Sequence, residues 1–248
     1  MVLIVLLSSM QNLGFFSQTS LTKSATNLAI FAGDLFPPNF AVIQDVWPAL
    51  VETVQIAFVG TIFGFLLALP LGILGSRNLY GRFVTSTVRL FLSVVRAIPA
   101  LLWALIFVVA VGLGPVAGTL GLAVYTLGYL GKLYYEAVEA VDPEVLEAVQ
   151  ATGCSKLQLV RFAVLPEAAN HILSQLFFMF EYNVRSSSIL GFVGAGGVGF
   201  YMLNYIQTLR YQSLMSVIIL TLAVVLAIDF ASGRIRSRFL TTQRLVRH

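Results

Sequence analysis

Five apolar stretches of 19 to 28 residues, at about 48–75, 90–113, 115–133, 168–192 and 214–233, fill most of the chain. Each is close to the ~20 residues that a helix needs to cross a bilayer. They are apolar all round rather than in alternation. A helix pairs its own backbone groups in lipid, whereas a β-barrel would read as alternating strands of ~10 residues. An all-α polytopic membrane protein is therefore expected. The charge content agrees: 10% of residues are charged, against roughly 25% in soluble domains. A shorter apolar run, 1–16, has no basic flank and no small-x-small cleavage site, so it reads as the start of a membrane helix and not as a cleaved signal. The expectation is one domain over 1–248 with about six spans and a core at about 48–233. Residues 18–33 are polar and amphipathic and suit the membrane interface. Pro37 and Pro38 break the chain after them. Gly60, Gly64, Ala68 and Gly72 recur every four residues, a spacing that lets helix backbones approach closely.

The basic residues are sorted by side. Arg77, Arg82 and Arg89 follow the second span. Lys132, Lys156 and Arg161 follow the fourth. Arg234, Arg236, Arg238, Arg244 and Arg247 form the tail. The opposite side holds only Lys23 and Arg210. Positive residues stay in the cytoplasm, so both termini and the segment 136–167 are expected inside. The net charge of +4 thus reads as orientation and lipid contact, not as nucleic-acid binding. Cys154 is the lone cysteine, so no internal disulfide can form. His171 and His248 are too sparse for a metal site. No Ser/His/Asp set, P-loop or paired catalytic carboxylates occur, and Glu136, Glu139 and Asp142 read as a solvated face. A non-catalytic chain is expected.

The polar segment 147–166, E-A-V-Q-A-T-G-C-S-K-L-Q-L-V-R-F-A-V-L-P, lies between two apolar blocks. Asp142 can cap a helix with Pro143 in its first turn. Gly153 can end that helix in the left-handed conformation. Ser155 with Gln158 makes a capping box for a second helix. Leu165-Pro166 is expected to turn the chain back into the membrane. Two short helices at an angle would present Leu146, Val149, Leu157, Leu159 and Phe162 to a groove on a partner.

This segment resembles the EAA signature of the membrane subunits of bacterial ABC importers: E-A-A, three residues, G, nine residues, I-x-L-P. Val149 stands for the third-position alanine and Ala163 for the isoleucine. The resemblance implies that Glu147, Ala148, Gly153, Leu157, Leu165 and Pro166 couple the chain to an ATP-binding subunit. A narrower resemblance, to phosphonate-type importer permeases, rests on P-P-N-F at 37–40 and E-T-V-Q-I-A at 52–57. R-A-I-P-A-L-L-W-A-L-I-F at 96–107 and R-S-S-S-I-L-G-F-V-G-A-G-G-V-G at 185–199 extend it. It implies a type I importer fold in the bacterial inner membrane, moving phosphonate, phosphite or a related phosphorus oxyanion by alternating access. The implied partners are a second copy, two ATP-binding subunits that hold the ATP and Mg, and a periplasmic or lipid-anchored binding protein. No cofactor would sit in this chain. Two alternatives stay open: an importer subunit for another small solute such as an amino acid, and a stand-alone secondary transporter, which would leave segment 147–166 unexplained.

Charges inside spans are expensive and face a partner or a water-filled path. Arg96, Arg185, Ser186, Ser187 and Ser188 are candidates for an oxyanion route. The other reading is structural: Glu181 can pair with Arg185 one turn on, and Arg96 can bond to backbone freed by Pro99. Gly194, Gly196, Gly197 and Gly199 match G-x-G-x-x-G formally, but without the strand, helix and acidic residue that a dinucleotide site requires. They read instead as a tight re-entrant turn on the outer side, which the resemblance places near an outer gate. Glu52, early in its span, suits the positive end of the helix dipole and is a weaker gate candidate.

Overall fold

A helix with glycines on several sides can be packed closely by more than one neighbour, and the helix that starts at Pro115 is built this way. The computed structural model describes residues 1–13 and 18–240, with side chains outside 18–23 and 239–240. The described elements are helical: α1 (Val2–Asn12), α2 (Gln18–Asp34), α3 (Ile43–Leu74), α4 (Arg82–Ala97), α5 (Ala100–Val111), α6 (Pro115–Glu139), α7 (Pro143–Gln150), α8 (Lys156–Leu159), α9 (Leu165–Leu190), α10 (Gly199–Gln207) and α11 (Tyr211–Leu240).

Helix α6 is the axis. On one side it meets α3, where a Cβ on Gly60, Gly64 or Gly72 would lie 2.9, 2.5 or 2.5 Å from the Cβ of Leu122, Thr126 or Tyr134. The four-residue stripe in the sequence is this contact. The other side takes α4 and α5: a Cβ on Gly121 would lie 2.6 Å from the Ala104 nitrogen, and one on Gly131 would lie 2.6 Å from Leu92. Helix α9 packs against both α3 and α6, and α11 packs outside α9. Leu92, Leu130, Tyr134, Val138, Leu146, Leu159, Val164 and Met179 form one buried cluster at the end of the bundle where α6 finishes. We call this the basic end, and the opposite one the glycine end.

Phe40–Leu74 and Tyr211–Arg238 are each long and apolar enough to cross a membrane unaided. Helices α6 and α9, of 25 and 26 residues, extend about 37–39 Å, more than the ~30 Å hydrocarbon layer. The stretch expected as one span at 90–113 is instead broken. Helices α4 and α5 meet at 86°, because Pro99 supplies no N–H and biases Ile98 to an extended conformation. The expected first span is 11 residues of helix, about 16 Å, which is shorter than a crossing; residues 14–17 lie outside the described region. The second span starts earlier than expected, at Ile43, and carries Pro48 inside it. Arg244, Arg247 and His248 also lie outside the described residues.

Candidate functional site

Segment 147–166 sits at the basic end, and its caps form as the sequence suggests. The Asp142 carboxylate accepts from the Glu144 N–H at 2.9 Å. Helix α7 ends at Gln150, three residues short of the Gly153 stop that the sequence suggests, and a turn carries the chain to Gly153, which has φ +77° and donates its N–H to the Gln150 carbonyl at 2.9 Å. Ser155 and Gln158 close a capping box. Past this box the chain departs from expectation. Helix α8 passes through a π-helical turn, Val160–Val164, straight into α9, with Pro166 in the first turn of α9. Leu165-Pro166 therefore makes no turn. The wider π spacing accommodates a proline that cannot donate to the preceding carbonyls.

The exposed face also differs from the expected one. Leu146 and Leu159 are buried in the basic-end cluster, and Val149 packs against it. Leu157 and Phe162 remain outside at 79% and 66% exposure, with Glu147, Ala148, Gly153 and Pro166 also exposed and Leu165 half-buried. The segment is thus fixed from beneath and open above. Lys156 holds it sideways, its ammonium 5.2 Å from the centre of the Tyr80 ring. Glu139 is no solvated residue. It accepts from the Arg77 N–H at 2.7 Å and pairs with Arg89, whose guanidinium lies 4.2 Å over the Tyr135 ring. The turn between α3 and α4 is locked to the end of α6 by these contacts.

The intramembrane charges are arranged differently from the within-helix pair. Arg185 pairs with Asp229 of α11, and Glu181 pairs with Arg236 of α11. Two ion pairs of opposite sense therefore join α9 to α11. An unlike neighbour on another helix supplants the i,i+4 contact because α11 brings an acid and a base to the same face. Arg96 is the contrast. It is half-buried, and its guanidinium makes no hydrogen bond or ion pair with a described residue. The carbonyl freed near the Pro99 break goes elsewhere: the Trp103 indole N–H donates to the Val95 oxygen at 3.1 Å. Ser187 and Ser188 are buried inside the subunit, with both hydroxyls donating to the Val184 carbonyl, and Ser187 also reaches the Thr53 carbonyl. Ser186 is half-buried.

At the glycine end, Gly194, Gly196 and Gly197 take φ of +76°, +84° and +80°, which side-chain-bearing residues adopt only under strain. Gly199 serves close packing instead: a Cβ there would lie 2.4 Å from the Ser188 oxygen. The turn is held from below. Glu52 accepts from the Gly197 N–H at 2.8 Å, and the Thr53 hydroxyl accepts from the Val198 N–H at 2.8 Å. The Gly114 N–H donates to the Gly194 carbonyl at 2.9 Å. A cavity of about 440 Å³ opens here between Glu52, Leu113, Gly196 and Tyr201.

Sequence reasoning missed three features. Glu52 and Thr53 grip the glycine turn, and their position next to each other at the head of a span was the available signal. Asn183, fully buried, donates at 2.8 Å to both Thr61 and Thr126, so one amide ties α9 to α3 and α6. The third is a stack of phenols shared by α6 and α9. The Tyr125 ring lies 5.9 Å from Tyr182 and 6.2 Å from Tyr129, with interplanar angles of 23° and 29°.

A family model described as binding-protein-dependent transport system inner membrane component matches residues 60–240. The chain is 41% identical over 206 residues to a phosphate-import permease protein of Mycolicibacterium smegmatis, across 82% of this chain and 39% of that protein. It thus spans well under half of that relative's length. It is 32% identical over 227 residues to a phosphite transport system permease protein of Stutzerimonas stutzeri, across 91% of this chain and 82% of that one. Among solved structures, an inward-facing form of a methionine ABC transporter superposes with a TM-score of 0.70 at 25% identity, over 81% of this chain and 98% of that chain.

Proposed function

The chain belongs to the family of binding-protein-dependent transport system inner membrane components, and from that premise we propose that it is one of two identical membrane subunits of an ATP-driven importer for phosphonate, phosphite or a related phosphorus oxyanion. It is a multi-pass permease subunit of the inner membrane with the type I ABC importer permease fold. In the proposed arrangement both termini and segment 147–166 face the cytoplasm. Two ATP-binding subunits, which carry the ATP and Mg, seat against Glu147, Ala148, Gly153, Leu157, Leu165 and Pro166. A periplasmic or lipid-anchored binding protein meets the glycine end and releases solute there. The path runs between the two copies, and ATP-driven closure of the motor subunits rocks the bundles from inward- to outward-facing.

The observation that supports this best is the segment itself: buried Leu146 and Leu159 anchor it, while Leu157 and Phe162 stand out from the bundle. Exposed large apolar residues on a polar, capped segment mark a partner contact. The cargo reading rests on the named phosphate and phosphite relatives. Of the two route arginines, Arg96 has no counter-ion among the described residues, whereas Arg185 is neutralised by Asp229. The test is ATP-driven uptake by the complete complex in proteoliposomes, with phosphite, methylphosphonate and inorganic phosphate supplied separately. We expect accumulation of at least one of the three. Accumulation of none of the three by a complex that hydrolyses ATP would overturn the cargo.

A further inference from the structure

We infer that Arg96 together with the phenol groups of Tyr125 and Tyr182 forms an oxyanion contact part-way through the membrane, on which the solute rests in transit. This rests on the importer reading and adds the residues that would touch cargo. The placement is the first argument. Gly128 brings α4 against α6, so closely that a Cβ there would lie 2.9 Å from the Arg96 nitrogen. Tyr125 and Tyr129 neighbour that glycine on α6, one turn before it and one residue after it, so the base of Arg96 meets the part of α6 that carries both rings. Tyr182 of α9 then stacks on Tyr125, with the two hydroxyls 3.4 Å apart. Three helices thus bring one cation and two hydroxyl groups to one place.

Depth is the second argument. Tyr125 lies ten residues from the start of α6 and Tyr182 eight from the end of α9, about 15 and 12 Å inside the glycine end. An aromatic belt anchored at headgroup level would sit at the ends of these helices. Here the phenols are well inside a ~30 Å layer, beside a charge whose burial there without a partner is costly. The third argument is chemistry. A phosphorus oxyanion offers several acceptor oxygens and no donor of comparable strength. A guanidinium supplies a fork of N–H donors and the phenols supply O–H donors. A single cation backed by neutral hydroxyls also suits transit, which needs contacts strong enough to admit the solute and weak enough to let it leave.

The experiment compares wild type with Tyr125→Phe, Tyr182→Phe, Arg96→Gln and Arg96→Lys in the complete complex in proteoliposomes, reading phosphite uptake per ATP hydrolysed. Tyr→Phe removes one oxygen and keeps the stack, so assembly is retained even where Arg96→Gln fails to assemble. We expect each Tyr→Phe variant to lose roughly five- to tenfold in uptake per ATP. Arg96→Gln should lose more, and Arg96→Lys should recover part of that loss by keeping the charge without the fork. Unchanged uptake per ATP in both Tyr→Phe variants, with wild type active, overturns the contact and leaves the importer standing. Wild type that moves none of phosphite, methylphosphonate and phosphate overturns the cargo reading and this contact with it.

Discussion

At the scale of single residues, Gly153 decides whether segment 147–166 has its shape. Its φ of +77° is out of reach for proline, whose ring fixes φ near −65°. Open space surrounds it, so alanine meets only a backbone penalty of about 1–2 kcal/mol. We expect Gly153→Pro to leave the bundle assembled and to cut ATP-driven uptake at least tenfold, with Gly153→Ala much milder; wild-type uptake in Gly153→Pro would show that the shape of this turn is idle. Single residues were also where the sequence was easiest to read and easiest to misread. Asp142, Gly153, Ser155 and Gln158 act through neighbours two or three positions away, so their spacing carried their roles. Arg185, Glu181, Glu139 and Asn183 act through residues 44 to 122 positions away, which no local pattern encodes. The expected i,i+4 pair was reasonable chemistry defeated by a neighbour on another helix.

At the scale of elements, the packing of α3 on α6 is the joint that the rest depends on. A Cβ on Gly64 would lie 2.5 Å from two atoms of Thr126 and 2.8 Å from the Ala123 oxygen, and backbone cannot yield as a flexible side-chain end can. Overpacking of this kind costs about 1–3 kcal/mol or more. Gly64→Val should therefore sharply reduce the yield of monodisperse protein in mild detergent. Gly33→Val, with nothing within 4 Å, should not; equal yields from the two variants would mean that the close approach is not limiting. The stripe at 60, 64, 68 and 72 made this joint legible beforehand. Element ends were less so. The apolar run at 90–113 concealed a right-angle break, because composition is blind to direction. Leu165-Pro166 concealed continuity, because a proline in a first helical turn looks in sequence much like a proline that stops a helix.

At the scale of the whole molecule, one copy offers a half-built arrangement: an Arg96 with no counter-ion among the described residues, a row of exposed apolar residues along α4 and α5, and one exposed segment at the basic end. Two copies would pair these surfaces across a twofold axis, and each would engage one ATP-binding subunit. Native mass spectrometry of the purified complex should therefore give two permease chains to two ATP-binding chains. A single permease chain with either one or two motor chains would refute the homodimer. The all-helical fold was open to sequence reasoning because apolar length is a local property. The pairing of α9 with α11 was closed to it, since that pairing depends on which helix reaches which face. The continuous run from α8 through the π turn into α9 has a mechanical consequence. It makes α9 a rigid lever whose short arm is the exposed segment and whose long arm, 26 residues, reaches about 39 Å to the glycine end. A tilt of about 10° at the basic end would carry the far end about 7 Å over that length. A nudge from a motor on one side of the membrane would thus arrive as a stroke several times a bond length on the other.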